Sequence, residues 1–449
     1  MKTTADLRFG LEACEVVAND HPHYECDRRI FNGYIDRKPR AILFPETEQA
    51  LVAVGRFALD QDRPFSIRAG GHNVAGSSLV EDGYVIDTSR LAGVYVDRDA
   101  RLADVQPGAL WRDFDSVAAK FRLCTPGGII SDTGVAGLTL GGGIGWLNGL
   151  YGLTCDNLVA ADILLPSGEL VRASENQNFD LLWALRGGGG NFGLVTRFQL
   201  RLNPLPQLLA GSIVYRHTEL REALERYVAC CEAAPDELTI SLVAPCGARS
   251  ARVSLDVCYA GAPETGLSLT DPLLPRAASS LLRDTRQRYS YVNWQRQFDD
   301  DLRRGRRSYW RAIYVQDPVS PRFLSIFERY LVSAPSEHSM LTFDHVHGAA
   351  HRVGNESSAY GDRTHSYLFL INTNWDDAQD DEANLDWCNA LFAELQTLGL
   401  ETTYVNYLSE EGDARVSAAF GDNMSRLRAT KRRYDPDNRF RSNQNISPG

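Results

Sequence analysis

The sequence predicts an α+β protein of more than one domain, on three observations. Short strand-like and helix-like segments alternate through residues 38–204, punctuated by glycine. Strands outnumber helices there and hairpins mix with crossovers, which suits α+β better than a doubly wound sheet. Beyond "NPLPQ" (Asn203–Gln207) the glycine clusters stop and the composition shifts. At 449 residues the chain is in any case too long for one ordinary core.

Taken in order, "RAILFPET" (Arg40–Thr47) is a strand running into a turn, "EQALVAVGRFALDQ" has helical apolar spacing, and "PFSIRAG" is the next strand. "YVIDTSR" and "ADVQPGAL" are further strands, and "LWRDFDSVAAKF" is an amphipathic helix. "LVAADILLPSGELVRAS" is a hairpin turning at Pro166-Ser167-Gly168, followed by the short helix "FDLLWALRG" and the strand "FGLVTRFQLRL". In residues 210–400, "ELTISLVAP", "RVSLDVCYAG", "SMLTFDHVHGAA" and "HSYLFLINTNW" are strands, with "LREALERYVACCEAA" and "DDEANLDWCNALFAELQTLG" as helices. That order suggests an antiparallel sheet covered on one face. The tail "RLRATKRRYDPDNRF" has a helix pattern closed by Asp435-Pro436, and Phe440 and Ile446 are apolar anchors, so the tail is expected to pack.

Composition narrows the function classes. Apolar residues at 43% and charged residues at 23% describe a folded, soluble chain. No apolar run reaches the roughly 18 residues that span a bilayer, so no membrane is expected. The N-terminal stretch lacks the apolar core of a leader, which places the protein in the cytoplasm. A net charge of −11 argues against nucleic acid. The basic run "RRGRRSYWR" (Arg303–Arg311) is a local exception, read as a solvated loop or helix face. Nine cysteines at irregular spacing, without a C-x-x-C pair, support neither a zinc ribbon nor a disulfide framework.

Three glycine-rich stretches carry the functional signal. In "RAGGHN" (Arg68–Asn73), Gly70-Gly71 lets backbone N–H groups face a ligand unobstructed, as a pyrophosphate requires. In "GVAGLTLGGGIGW" (Gly134–Trp146), glycines recur through an apolar segment and would let backbone lie against a broad planar surface. "RGGGGNFG" (Arg186–Gly193) contains a formal G-x-G-x-x-G, but helix precedes it and strand comes after it. That order is the reverse of a nicotinamide-binding unit. Three such loops in one domain point to a long dinucleotide with two phosphates and a large ring. FAD fits, and His72 in the first loop is then a candidate tether.

"SIRAGGHN", "GVAGLTLGGGIGWL", "YGLTCDNL", "LLWALRGGGGNFGLVTRFQL" and "YDPDNRFRSNQNISP" occur in this order. Together they resemble the berberine bridge enzyme-like flavoprotein oxidases, of the vanillyl-alcohol oxidase/p-cresol methylhydroxylase type. The resemblance is strong over residues 38–204 and in the tail, and loose between them. It implies a two-subdomain FAD-binding domain of the p-cresol methylhydroxylase type, from residues 1–205 and 403–449, with a substrate domain inserted at 206–402. It also implies that His72 is bonded to the 8α-methyl carbon of FAD. Many relatives add a cysteinyl link, but Ile130 stands at that place in "PGGIISDTG" (Pro126–Gly134), and Cys124 and Cys155 do not align with it. A single link through His72 is therefore expected. By the same motifs, backbone around Ile67, Arg68, Ala69, Gly70 and Gly71 should bind the pyrophosphate, with Asn73 beside them a further cofactor contact. Val135, Gly137, Leu138, Gly142 and Gly145 should line the ring and adenosine side, and Gly193 and Val195 the adenine end. Asn406, Asn443 and Asn445 should approach the flavin.

The implied reaction is hydride transfer to the flavin with a base removing a proton, oxygen being the expected acceptor. "TYVNYLSEE" (Thr403–Glu411) supplies Tyr407 as candidate base, with Tyr404 beside it. A phenol with a pKa near ~10 would need a lowered value to act at neutral pH. Where relatives often offer a carboxylate, "SYLFLINTNW" (Ser366–Trp375) has only Asn372, Asn374 and hydroxyls. His345 and His347, two apart on a strand, are the alternative bases, with no third ligand to make them a metal pair. The substrate is expected to be a small alcohol, amine or secondary metabolite, with oxidative cyclisation one outcome. A carbohydrate oxidase forming a lactone is the second reading, kept open by Trp294, Tyr309 and Trp310. A flavin-bearing binding protein without turnover is the third. A small Thr133 near the cysteine position leaves oxidase and dehydrogenase both open, and a monomer or homodimer is expected.

Overall fold

The computed structural model describes residues 11–247, 252–399 and 401–449. The opening residues, part of the stretch excluded above as a leader, lie outside the described residues. Among the described residues no helix is long and apolar enough to cross a membrane.

The first sheet holds β1 (Cys14–Ala18), β2 (Ala41–Pro45), β3 (Phe65–Arg68) and β4 (Tyr84–Asp87), in the order β1-β2-β4-β3. β2 and β3 run parallel to β4, while β1 is antiparallel to β2. β2 is buried along its whole length, which explains why it reads as one continuous apolar run. The crossover after it is the helix Glu48–Asp60, started by Thr47 Oγ1, which accepts from Ala50 N at 3.1 Å. Gly55 on this helix lies so close to the second sheet that a Cβ would sit 2.5 Å from Leu164 Cδ2. The helix is thus the filling between two sheets.

The second sheet is antiparallel throughout: β5 (Val94–Asp97), β6 (Leu102–Val105), β8 (Leu158–Leu164), β9 (Leu170–Ser174) and β10 (Leu194–Arg201), ordered β5-β6-β10-β8-β9. A short ladder joins β7 (Leu123–Cys124) to β11 (Asn203–Pro204). The third sheet is also antiparallel and is the largest. Its strands are β12 (Leu208–Arg216), β13 (Leu238–Pro245), β14 (Arg252–Ala260), β15 (Leu281–Asp284), β16 (Gln287–Tyr289), β17 (Arg307–Tyr314), β18 (Met340–His345) and β19 (Tyr367–Trp375). They adopt the order β15-β12-β14-β13-β18-β19-β17, with β16 on β12.

Side-chain alternation divides the third sheet into a core face and a cavity face. Leu341, Phe343, Phe369 and Ile371 pack into one core with residues of the helices Leu220–Glu232, Pro321–Ser333 and Asp381–Gln396. Phe343 and Phe369 sit at its centre, 4.8 Å between ring centroids. The intervening residues must then point to the opposite face. That face carries Met340, Thr342, Asp344, Leu370 and Asn372, and it roofs a cavity.

The basic run divides: residues 303–306 lie in a turn with Arg303 and Arg304 exposed, as the solvated-loop reading expected, while the part from Arg307 on is neither loop nor helix face. Arg307–Arg311 belongs to β17, paired with β19 along its length, and its charges are neutralised by residues distant in sequence. Arg306 meets Asp376 at 3.0 Å, Arg307 meets Asp381 at 2.6 Å and Arg311 meets Glu411 at 2.7 Å.

The tail folds back on the second sheet through a buried cation. On the helix Met424–Tyr434, Lys431 Nζ donates to Asn191 O (2.6 Å) and Phe440 O (2.9 Å) and pairs with Asp435 Oδ2 (2.7 Å), both side chains being fully buried. Burial pushes the Lys431 amine down, and Asp435 opposes that shift. Lys431→Met leaves Asp435 as an uncompensated buried charge and should cost about 3–5 kcal/mol. A urea titration checks this, and an unchanged midpoint would contradict it.

Candidate functional site

The cavity runs between the glycine segments and the roof. Its first wall is the loop after β3. Arg68 ends the strand with its guanidinium ion-paired to buried Asp87, and its carbonyl accepts from Thr88 N at 2.8 Å. The chain then turns through Gly71 at φ 62°, a left-handed conformation. Gly70 packs on the second glycine segment, where a Cβ would come within 2.4 Å of Gly134 N. Among the described residues, the N–H groups of Gly70, Gly71, His72 and Asn73 find no acceptor in the chain. Successive free N–H groups of this kind form an anion-binding nest.

The helix Val135–Gly141 supplies the second wall, and a Cβ on Gly137 would meet nothing within 4 Å. The third wall is the loop Gly188–Asn191, entered from the helix Phe179–Leu185 and left through β10, so the order is helix then strand. The tail braces this loop: Asn443 Nδ2 donates to Gly190 O at 3.0 Å, and Ile446 N donates to Asn191 Oδ1 at 2.9 Å. Ser66 Oγ, Ser78 Oγ and Asn443 Oδ1 belong to cavity-lining residues and are buried without a partner. A bare nest, open glycines and orphaned polar atoms along one cavity fit an elongated dinucleotide with a polar ring system, as FAD is.

His72 lines the cavity with its imidazole stacked on Phe31, centroids 3.9 Å apart and planes at 18°. Its Nε2 lies 3.3 Å from Asp132 Oδ1. Burial pushes the Asp132 carboxyl up, but His72 and Arg304 outweigh it and hold the group at about 2. Ile67, Ala69, Gly70, Gly71, Asn73, Gly137, Leu138, Gly193, Val195, Asn406 and Asn443 also line the cavity, as do Ile130 and Thr133. Cys124 and Cys155 do not line it.

Five expected cofactor residues do not reach the cavity: Arg68, Val135, Gly142, Gly145 and Asn445. Arg68, expected to bind through its backbone, has that backbone held in the β3–β4 ladder with its carbonyl accepting from Thr88 N, and its side chain pairs with Asp87. Val135 is buried in the core, its N–H donating to Ala109 O at 2.9 Å. Gly142 abuts Tyr360 and Tyr404, and Gly145 abuts the Gly127 carbonyl, so both serve close packing. Asn445 alternates with Gln444, and it is Gln444 that lines the cavity.

Under the roof, Tyr407 Oη donates to Asp344 Oδ2 at 2.8 Å. Burial pushes the Asp344 carboxyl up to about 6, with the Tyr407 hydroxyl pulling the other way. Tyr407 is itself pushed well up, by burial first and then by the Asp344 charge. This reverses the expectation of a lowered phenol: the carboxylate, not the phenolate, is the basic end of the pair. Tyr404 Oη accepts from Gly143 N and Asn406 Nδ2, both at 2.8 Å, which ties it to the second wall.

His345 and His347, expected as alternative bases, do not line the cavity. Alternation along β18 gives the cavity face to Asp344 and takes His345 off it. The two rings stack on each other at 4.0 Å, and His347 Nε2 meets Thr239 Oγ1 at 3.2 Å. Burial pushes both down, His347 to about 4. Asp344 is the residue that sequence reasoning missed. An acid at an alternate position in the apolar strand "MLTFDH" was the available signal, because a buried carboxylate rarely lacks a reason. Of the three aromatics kept for a sugar groove, only Trp310 lines the cavity. Trp294 packs on Trp146 at 5.3 Å, and Tyr309 packs against the helix-side core.

Walls of open glycine backbone, a lining histidine and a hydrogen-bonded tyrosine–aspartate pair under an antiparallel roof suit a flavin-dependent oxidoreductase. Residues 39–174 match the FAD binding domain family, and residues 403–447 match the family described as berberine and berberine like. The uncharacterized FAD-linked oxidoreductase YgaK of Bacillus subtilis is 30% identical over 443 residues, 96% of each chain. The crystal structure of 6-hydroxy-D-nicotine oxidase from Arthrobacter nicotinovorans matches with a TM-score of 0.88 at 26% identity, covering 97% of this chain and 98% of that one. Physcomitrella patens BBE-like 1 shares the fold with a TM-score of 0.89 at 21% identity, over 98% of each chain. The chain belongs to the berberine bridge enzyme-like family of FAD-linked oxidoreductases.

Proposed function

We propose that the protein is an oxidase that carries FAD on His72 alone and oxidises a small alcohol, amine or secondary metabolite, with molecular oxygen as the final acceptor. The observation that carries this reading is the Tyr407–Asp344 pair, 2.8 Å apart, on the cavity under the roof. Bound FAD supplies the hydride acceptor. Tyr407 receives the O–H or N–H proton of the substrate while its own proton passes to Asp344, whose raised pKa suits a base near neutral pH. Leu370, Met340 and Trp310 cover the cavity with apolar surface that excludes water from the reacting carbon. Ser241, Thr342 and Asn372 offer the polar contacts that orient it.

Kinship favours an amine among these substrates, because (R)-6-hydroxynicotine oxidase of Paenarthrobacter nicotinovorans is 27% identical over 97% of this chain. A carbohydrate is the second reading, supported by the polar roof residues but weakened by the single aromatic that reaches the cavity. The test is a screen of alcohols, amines, pathway metabolites and oligosaccharides for peroxide release and anaerobic flavin bleaching. Peroxide from an alcohol or amine supports the first reading, and a lactone with peroxide from a sugar replaces it with the second. Bleaching without peroxide in air would make the protein a dehydrogenase.

A further inference from the structure

Behind His72 stand two charged side chains that do not line the cavity. Asp132 Oδ1 is 3.3 Å from His72 Nε2, within ion-pair reach, and that buried nitrogen makes no hydrogen bond among the described residues. Arg304 Nε donates to Asp132 Oδ2 at 2.7 Å, and its Nη2 donates to the carbonyls of Gly70 (2.6 Å) and Asp132 (3.3 Å). Arg304 comes from the basic run and so reaches the first glycine loop from the far side of the chain. The next residue completes the brace, since Gly305 N donates to Phe31 O at 2.8 Å and Phe31 N donates to Gly71 O at 2.9 Å. Phe31 in turn stacks on the imidazole. The ring is therefore stacked on Phe31 with the Asp132 charge beside its Nε2, and Arg304-Gly305 ties both neighbours to the loop.

We propose that Asp132, held by Arg304, is the positioning residue for flavin attachment at His72: it keeps the imidazole proton on Nε2 and leaves the Nδ1 lone pair free to form the bond. The proposal rests on the covalent attachment proposed above. A carboxylate beside one ring nitrogen favours the proton there and stabilises the positive charge that grows as the other nitrogen attacks. In attachment, an Nδ1–C bond forms to the 8α-methyl carbon. One methyl C–H bond breaks, and its proton and the Nε2 proton both pass to the flavin. The two electrons and two protons stay with the flavin, which is thereby reduced, and molecular oxygen takes them to give hydrogen peroxide. Held at about 2 by its partners, Asp132 is ionised throughout the working range.

The test uses the full chain produced under riboflavin starvation, as wild type, Asp132→Asn, Asp132→Glu, Arg304→Gln and His72→Ala. FAD is added, and attachment is tracked by flavin fluorescence in denaturing gels and by intact mass. Reversible binding is measured separately by quenching of FAD fluorescence. Asp132→Asn should slow attachment on the order of 10–100-fold, the usual loss when an orienting carboxylate is removed from a histidine. Reversible FAD binding should stay within about twofold, Asp132→Glu should restore part of the rate, and Arg304→Gln should slow it less than Asp132→Asn does. Attachment at the wild-type rate in Asp132→Asn overturns the proposal. So does a parallel loss of reversible binding, which would make Asp132 a builder of the loop only. Attachment that persists in His72→Ala overturns the underlying reading instead, because the link would then lie elsewhere.

Discussion

Asp344→Asn should lower kcat/KM by about 10²–10⁴, the range expected when a general base is removed. Asparagine preserves the shape and can still accept from Tyr407, so the loss should fall on kcat with little change in flavin binding. The pH profile separates this role from a packing one. Wild-type activity should fall about tenfold per pH unit below about pH 6, where the Asp344 carboxylate becomes protonated, and the variant should lack that limb. Stability should move the opposite way. The folded-state pKa of Asp344 is raised above its unfolded value, so its stabilising contribution is present at low pH and is lost as pH rises through about 6. At pH 7–8 the buried charge is a burden of about 2–3 kcal/mol, at about 1.4 kcal/mol per pKa unit. The variant should therefore melt higher than wild type there while being nearly inactive. A variant with full activity, or one that melts lower at pH 8, would remove Asp344 from the chemistry proposed for it.

His72→Ala should release all of its flavin on acid precipitation, whereas the wild-type precipitate should stay yellow. Mass action supplies a second readout. Once FAD is held only reversibly, each hundredfold excess over Kd adds about 2.7 kcal/mol of stability, so the melting temperature of the variant should climb with added FAD. The wild-type holoprotein should melt at one temperature whatever the FAD concentration. Calorimetry at graded FAD checks both expectations, and a colourless wild-type precipitate would contradict the attachment.

The glycine walls were legible in the sequence because their requirement is written in residue type: backbone must approach closely, and only glycine allows it. The helix-then-strand order around "RGGGGNFG" likewise marked it as no nicotinamide site. What the motifs did not show is which residue in each stretch faces inward. Gly142 and Gly145 look like Gly137, yet they serve packing against Tyr404 and Gly127. Asp344 escaped for a related reason. A strand assignment gives alternation but not phase, and a shift of one residue exchanges the two faces. The phase of β18 is set by the helices that cover Leu341 and Phe343, far away in sequence. Two neighbouring histidines drew the chemistry to the wrong parity. β17 was hidden by its arginines, because Asp381 and Glu411, which neutralise Arg307 and Arg311, lie many residues downstream.

The bracing of the Gly188–Asn191 loop by Asn443 and Ile446 also has a consequence in time. During translation the nest after β3 and the sheet that roofs it emerge first, while the segment that closes the adjoining side is still inside the ribosome. Domains tend to fold as they emerge, so a nascent chain stalled before Phe440 would present the cofactor with a trough open along one flank. Loading should accordingly be late, after the bracing segment has emerged, and chains stalled before it should carry no flavin.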